Sequence, residues 1–178
     1  LDLKLICPAH GPIHRDAPRG YVNRYRQLAA PLLANEAGQR DKTLVIFYIS
    51  AYGNTAVMAQ AVKDGAESVD GVRVSVYDLQ GGEVTPFVDL IEEADGLAIG
   101  SPTINGDAVK PVWDLLSCLT QVPLKGKLGA AFGSYGWSGE AVGMVEGRLR
   151  GLKLRVPCAG ITLKLIPTGE QLAECHAF

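Results

Sequence analysis

From residue 43 onward the chain alternates between two hydrophobic periods. "TLVIFYI" (43–49) is an unbroken apolar run of β-branched and aromatic residues, the pattern of a strand buried on both faces. Behind it, 55–68 places Val57, Met58, Ala61, Val62 and Ala66 at helical spacing. "GVRVSVYDL" (71–79) alternates Val72, Val74 and Val76, as a strand nearer a sheet edge does, and "PFVDLIEEA" (86–94) predicts a short helix with Pro86 in its first turn. "DGLAIGSP" (95–102) is a second buried strand. "AVKPVWDLLSCLT" (108–120) is a helix in which Pro111 is tolerable only near the start, and there Trp113 shares a core stripe with Val109, Val112 and Leu116. "KLGAAFGS" (127–134) reads as a strand of small residues and "GEAVGMVEGRLRGL" (139–152) as an amphipathic helix. "LRVPCAGITLKLIP" (154–167) is a final strand or strand pair interrupted at Pro157. "GEQLAECHAF" then begins a last helix with Thr168 as N-cap.

This βαβαβαβαβα succession predicts a parallel sheet with helices on both faces, a three-layer, doubly wound α/β fold. Residues 1–41 stand outside the alternation. "LKLICPAHGPI" (3–13) reads as a short strand breaking into a Pro/Gly turn, 18–37 is helix-like with a proline inside it, and "GQRDK" (38–42) is a linker. The opening "LDLKL" and the ending "ECHAF" read as the limits of a piece of a longer polypeptide.

Composition removes several function classes. Hydrophobic residues make up 47% and charged residues 20%, enough for an ordinary core, and the 21 glycines indicate many turns. A net charge of −2 without a basic run gives no support to nucleic-acid binding, and no apolar stretch approaches the roughly 20 residues of a membrane span. Cys7, Cys118, Cys158 and Cys175 are scattered, as in the reduced thiols of a cytoplasmic protein.

Ligands of a doubly wound sheet bind at the carboxyl ends of its strands. Three loops there share an unusual composition. "SAYGNT" (50–55) has the form [S/T]-x-x-G-x-T before a helix, so hydroxyls and helix N-terminal amides can receive a phosphate; the same residues could simply cap the helix. No Walker sequence, G-x-G-x-x-G fingerprint or Cys-x5-Arg signature is present, since Cys7 and Arg15 have the wrong spacing. "SPTINGD" (101–107) offers amides and small side chains for the edge of a heterocycle, or is an ordinary turn. "GSYGWSGEA" (133–141) embeds Tyr135 and Trp137 among glycines, as stacking surfaces or as a local aromatic or interface patch. Together the loops describe a receptor for a phosphorylated planar molecule, and FMN fits that description.

"ISAYGNTAVMAQAV", "GSPTINGDAVKPVWDLL" and "FGSYGWSGEAV" resemble the three FMN loops of flavodoxin-like domains, specifically those of flavodiiron proteins. "CPAHGPI" (7–13) resembles the His-Gly-Pro turn that ends the metallo-β-lactamase-like diiron domain of that family. The resemblance implies a flavodoxin-like five-stranded sheet of order 2-1-3-4-5. It makes 1–41 the tail of the preceding diiron domain with a linker, and 42–178 the FMN-binding domain.

By the same resemblance Ser50, Tyr52, Gly53, Asn54 and Thr55 hold the ribityl phosphate. Pro102, Thr103, Ile104, Asn105 and Gly106, with Ser134, Tyr135, Gly136 and Trp137, line the isoalloxazine and ribityl. His10 occupies an iron-ligand position that has meaning only in the full-length parent, and His14 and His176 are surface residues. The implied role is electron relay within an oxidoreductase: FMN passes electrons to a diiron centre of the parent, which reduces dioxygen or nitric oxide. The implied partners are the diiron domain of a second chain in a head-to-tail dimer and an NAD(P)H-dependent reductase, or reductase domain, as donor. No acid–base or nucleophilic constellation argues for other chemistry. Two other readings stay open: a stand-alone flavodoxin-type carrier or NAD(P)H:quinone reductase, and a flavin-free interaction domain.

Overall fold

The computed structural model describes residues 3–36, 41–82 and 87–178, with 31–36 described by their backbone alone. The chain forms two compact units, Leu1–Asp41 and Lys42–Phe178.

In the first unit the expected strand at 3–13 shrinks to one antiparallel bridge. The Ile6 N–H donates to the His14 carbonyl at 3.1 Å and the His14 N–H to the Ile6 carbonyl at 3.0 Å. Helix α1 (Pro18–Glu36) follows, with Pro18 at its start, where the missing N–H costs nothing, and it runs on through Pro31. His14 stacks on Tyr21 with ring centroids 3.8 Å apart, so it is half-buried rather than a free surface residue. Residues 38–40 of the expected linker lie outside the described residues.

The second unit is built on β1 (Lys42–Tyr48), α2 (Asn54–Glu67), β2 (Val72–Asp78), α3 (Val88–Glu93), β3 (Gly96–Gly100), β4 (Thr103–Ile104), β5 (Asp107–Ala108), α4 (Lys110–Cys118), β6 (Leu128–Tyr135), α5 (Glu140–Gly151), β7 (Ile161–Lys164) and α6 (Gly169–Ala177). Five strands form one parallel sheet in the order β2-β1-β3-β6-β7. Counted along that sheet alone, this is the expected 2-1-3-4-5 flavodoxin-like order.

The apolar run of β1 is split by the strand's two-residue period between the two faces. Val45 and Phe47 join Leu97, Ile99, Leu115, Leu116, Val145 and Leu149 in one core cluster, which also takes in residues of α3, α4 and α5. Ile46 joins Met58, Ala59, Val62, Ala98, Phe132, Leu163 and Cys175 in a second, under α2 and α6. Both faces of the central strands are thereby covered, and each fully buried large side chain contributes roughly 1.5–3 kcal/mol.

Most boundaries fall within a residue or two of the pattern. Pro111 sits in the first turn of α4, as the sequence requires. The expected helix 108–120 ends two residues earlier and tightens into a 3-10 turn over Leu119–Gln121. Pro86 lies outside the described residues. The final strand does break near Pro157: Arg155 makes a single bridge to Leu128, and pairing with β6 resumes only at Ile161. Thr168 caps α6 through a complete capping box with Gln171, whose side chain accepts from the Thr168 N–H at 3.0 Å.

The sequence reading missed one element, the β4–β5 hairpin. Its two-residue loop, Asn105-Gly106, has φ 55° and 75°, the positive values a tight hairpin turn requires. The four cysteines are free; Cys7 and Cys158 are exposed, and Cys175 is buried, which pushes its thiol pKa up. Among the described residues no helix is long and apolar enough to cross a membrane.

Candidate functional site

The sheet order reverses at β1: α2 carries the chain to β2 on one side, while β3 lies on the other. The three loops singled out by composition leave the carboxyl ends of β1, β3 and β6, and so gather along one edge of the second unit.

Loop one turns from β1 into α2. Gly53, the residue before the helix, has φ 84° and provides no side-chain cap. The first N–H groups of α2 therefore have no partner within the helix and no capping oxygen, the arrangement that receives an anion. Thr55, in the first turn, is 1% exposed, and its hydroxyl lies 2.9 Å from that of Ser134. Ser50 Oγ is buried and has no hydrogen-bond partner among the described residues. An unpaired buried hydroxyl costs roughly 1–3 kcal/mol, so its retention needs a reason, and a ligand's oxygen supplies one. Helix capping does not explain these hydroxyls, because none of them caps. Tyr52 stands clear of the loop, 90% exposed. At the foot of the loop Tyr48 faces Asp78 across the β1–β2 register, and burial first, then the Asp78 charge and hydrogen bond, push its phenol pKa up.

Loop two is the β4–β5 hairpin, which is anchored at both ends. Buried Ser101 donates through Oγ to the Pro102 carbonyl at 2.9 Å and accepts from the Val109 N–H at 3.3 Å. Thr103 Oγ1 accepts from the Ala141 N–H at the start of α5. Trp113 packs against the core as expected, and it also donates through Nε1 to Asp107 Oδ1 at 3.0 Å, tying α4 to the hairpin. Pro102 is buried, whereas Ile104 and Asn105 at the tip are exposed.

Loop three continues β6. Its backbone crosses Ser101 so closely that a Cβ on Gly133 would lie 2.0 Å from the Ser101 carbonyl oxygen. Tyr135 is half-buried against Gly139, while Trp137 is 95% exposed. Neither belongs to the close ring pairs His14–Tyr21, Phe47–Tyr77, Phe47–Phe87 and Tyr77–Phe87, so a local aromatic cluster is not formed. Ser134 differs from its neighbours. Expected to line the isoalloxazine and ribityl, it turns inward to Thr55 at 6% exposure.

Leu165 and Ile166, just past β7, reach the same edge unannounced by the sequence reading. The Leu165 N–H donates to the Tyr135 carbonyl at 2.7 Å, and the two side chains are 57% and 79% exposed. Leu165 also has φ 60°, costly for a residue with a side chain. The available signal was an apolar pair placed before Pro167 where a polar loop is the rule.

The residues fit FMN. Residues 50–55, which form the phosphate loop, hold no charged residue, so neutral hydroxyls and amides meet an anion there at a helix N-terminus. The exposed Trp137 stands at the same edge for a planar ring. His10, by contrast, is exposed in the first unit's turn, and among the described residues no three His, Cys, Asp or Glu side chains gather to hold a metal ion.

Comparison with known proteins agrees with the fold. The flavodoxin family model matches residues 46–178. A type A flavoprotein, fprA, of Rhodobacter capsulatus is 58% identical over 178 residues, all of this chain but 41% of the relative. The crystal structure of the flavodiiron protein from Giardia intestinalis superposes with TM-score 0.78 at 29% identity, over 98% of this chain and 42% of that one. Rubredoxin oxygen:oxidoreductase from Desulfovibrio gigas gives 0.76 at 27% identity, over 97% and 42%. An archaeal flavodoxin gives 0.69 at 33% identity, over 75% of this chain and 91% of that one. The chain thus spans about two fifths of the length of these type A and flavodiiron relatives. With the family model matching residues 46–178, the chain belongs to the flavodoxin family, and over nearly its whole length it is similar to part of the flavodiiron proteins.

Proposed function

We propose that the second unit holds FMN as the electron-transfer domain of an oxidoreductase, placing the flavin where a diiron site of a partner chain can accept its electrons. In this reading Ser50, Tyr52, Gly53, Asn54 and Thr55 receive the ribityl phosphate. Pro102, Thr103, Ile104, Asn105, Gly106, Tyr135, Gly136 and Trp137 enclose the ring and ribityl, with Ser134 beneath them. When bound, FMN supplies the redox chemistry; the chain's part is to bind, orient and shield. Ser50 and the α2 amides stabilise the phosphate by hydrogen bonds without a cation, which suits a resident cofactor. The anchored hairpin fixes amides at the edge of the site, and the exposed Trp137 provides a face for stacking.

The observation that carries the diiron assignment is coverage. The flavodiiron structures match 97–98% of this chain, residues 1–41 included, whereas the archaeal flavodoxin matches 75%. A stand-alone carrier leaves the first unit, with His10 in its turn, unaccounted for. The exposed apolar rim of Tyr52, Ile104, Trp137, Leu165 and Ile166 supports docking of another domain over the edge. In this reading 1–41 is the tail of a diiron domain, His10 a ligand there, and the whole protein reduces dioxygen or nitric oxide. It does so as a head-to-tail dimer fed by an NAD(P)H-dependent reductase.

Oxygen uptake by the full-length protein tests this. Uptake is expected to fall in proportion as FMN is removed and to return when FMN is restored. Uptake that persists unchanged in flavin-free protein would overturn the relay.

A further inference from the structure

We propose that Ser134 is a positioning residue of the phosphate end of the site, acting through Thr55 rather than on the flavin ring. The proposal rests on the FMN site assigned above. Ser134 lies near the end of β6, in register with Leu163, and Thr55 in the first turn of α2, 79 residues away in sequence. Their hydroxyls meet at 2.9 Å with both residues almost wholly buried.

Taken alone, either hydroxyl could be the donor in this pair. An anion removes the ambiguity. A phosphate dianion presents only acceptor oxygens, and each hydroxyl carries a single proton. If Thr55 spends its proton on the phosphate, its oxygen can only accept from its other neighbour, and that neighbour is Ser134. The Ser134 O–H therefore donates to Thr55 Oγ1, and the Thr55 O–H to the anion. Buried hydroxyls in series polarise one another, which strengthens the outer bond. The pair also bolts the first turn of α2 to the strand that carries the aromatic loop. Tyr135 and Trp137, after Ser134, turn outward from it; Ser134 alone in that loop is spent on the phosphate end.

The test compares FMN with riboflavin, which lacks the phosphate, by quenching of flavin fluorescence on the full chain. Variants are Ser134→Ala, Thr55→Val and the double substitution. Thr55→Val, which loses the charge-assisted hydrogen bond, is expected to bind FMN about tenfold more weakly, and Ser134→Ala, which loses the neutral bond that orients Thr55, about fivefold; both are expected to bind riboflavin within about twofold of the unaltered chain. The double variant is expected to bind FMN no more weakly than Thr55→Val alone. Ser134→Cys, which keeps a weak donor, falls between the unaltered chain and Ser134→Ala. The proposal is overturned by unchanged FMN affinity in Ser134→Ala, by losses that multiply in the double variant, or by loss of riboflavin together with FMN. A Thr55→Val chain that binds FMN normally would instead remove the phosphate site on which the proposal stands.

Discussion

Thr55→Asp is expected to weaken FMN binding by about a thousandfold or more, the consequence of setting a carboxylate against a dianion in a buried place, where like charges cost several kcal/mol. The fold itself should survive. An acidic residue in the first turn of α2 is favoured by the helix dipole and meets N–H groups that lack partners, so the carboxylate takes over the anion's place. Riboflavin therefore separates the two effects: its affinity is expected to change by less than about tenfold, since it brings no charge to the site. Equal losses for FMN and riboflavin would show that the substitution damages the loop generally. Unchanged FMN affinity would move the phosphate elsewhere.

Gly133→Ala is expected to destabilise the fold strongly. Its Cβ would lie 2.0 Å from the Ser101 carbonyl oxygen and 3.0 Å from a Val142 methyl. The first of these is backbone, fixed by the Ser101 N–H bond to the Phe132 carbonyl at 3.0 Å, so it cannot move aside without opening the β3–β6 ladder. The cost is expected to be about 3 kcal/mol, lowering Tm by roughly 10 °C for a unit of this size. Gly143→Ala is the control: it lies exposed in α5 with nothing within 4 Å of the added carbon, and alanine favours the helix. A Gly133→Ala chain melting with the unaltered one would mean that the two strands do not pack as described.

Much of the fold was legible because the sheet is buried on both faces. The runs at 43–49 and 95–102 had to be strands once helices flanked them, and Thr168 announced α6 through a local capping box that needs no tertiary context. The β4–β5 hairpin was missed for a reason of scale. Each strand is two residues long, too short for any period, although Asn105-Gly106 was itself a turn signal. In the first unit a strand pattern yielded a single bridge, Ile6 to His14.

The site was legible as three loops but not as a network. Composition pointed to residues 50–55, 101–107 and 133–141, and the strand order brings them to one edge. What composition could not carry was direction. Ser134 reads like its aromatic neighbours yet turns inward to Thr55, a contact set by the β6–α2 packing. Ser50 reads like a cap yet is a buried hydroxyl without a hydrogen-bond partner among the described residues. Leu165 and Ile166 read as the end of a strand and become part of the exposed rim.

In the proposed function FMN occupies this edge through its phosphate. Titration of the purified chain with FMN, followed by visible absorption and flavin fluorescence, measures this directly. The expected result is stoichiometric uptake, with oxidised-flavin bands retained after gel filtration and affinity for FMN well above that for riboflavin. A chain that shows no flavin bands after FMN has been added, or that holds riboflavin as tightly as FMN, would contradict it.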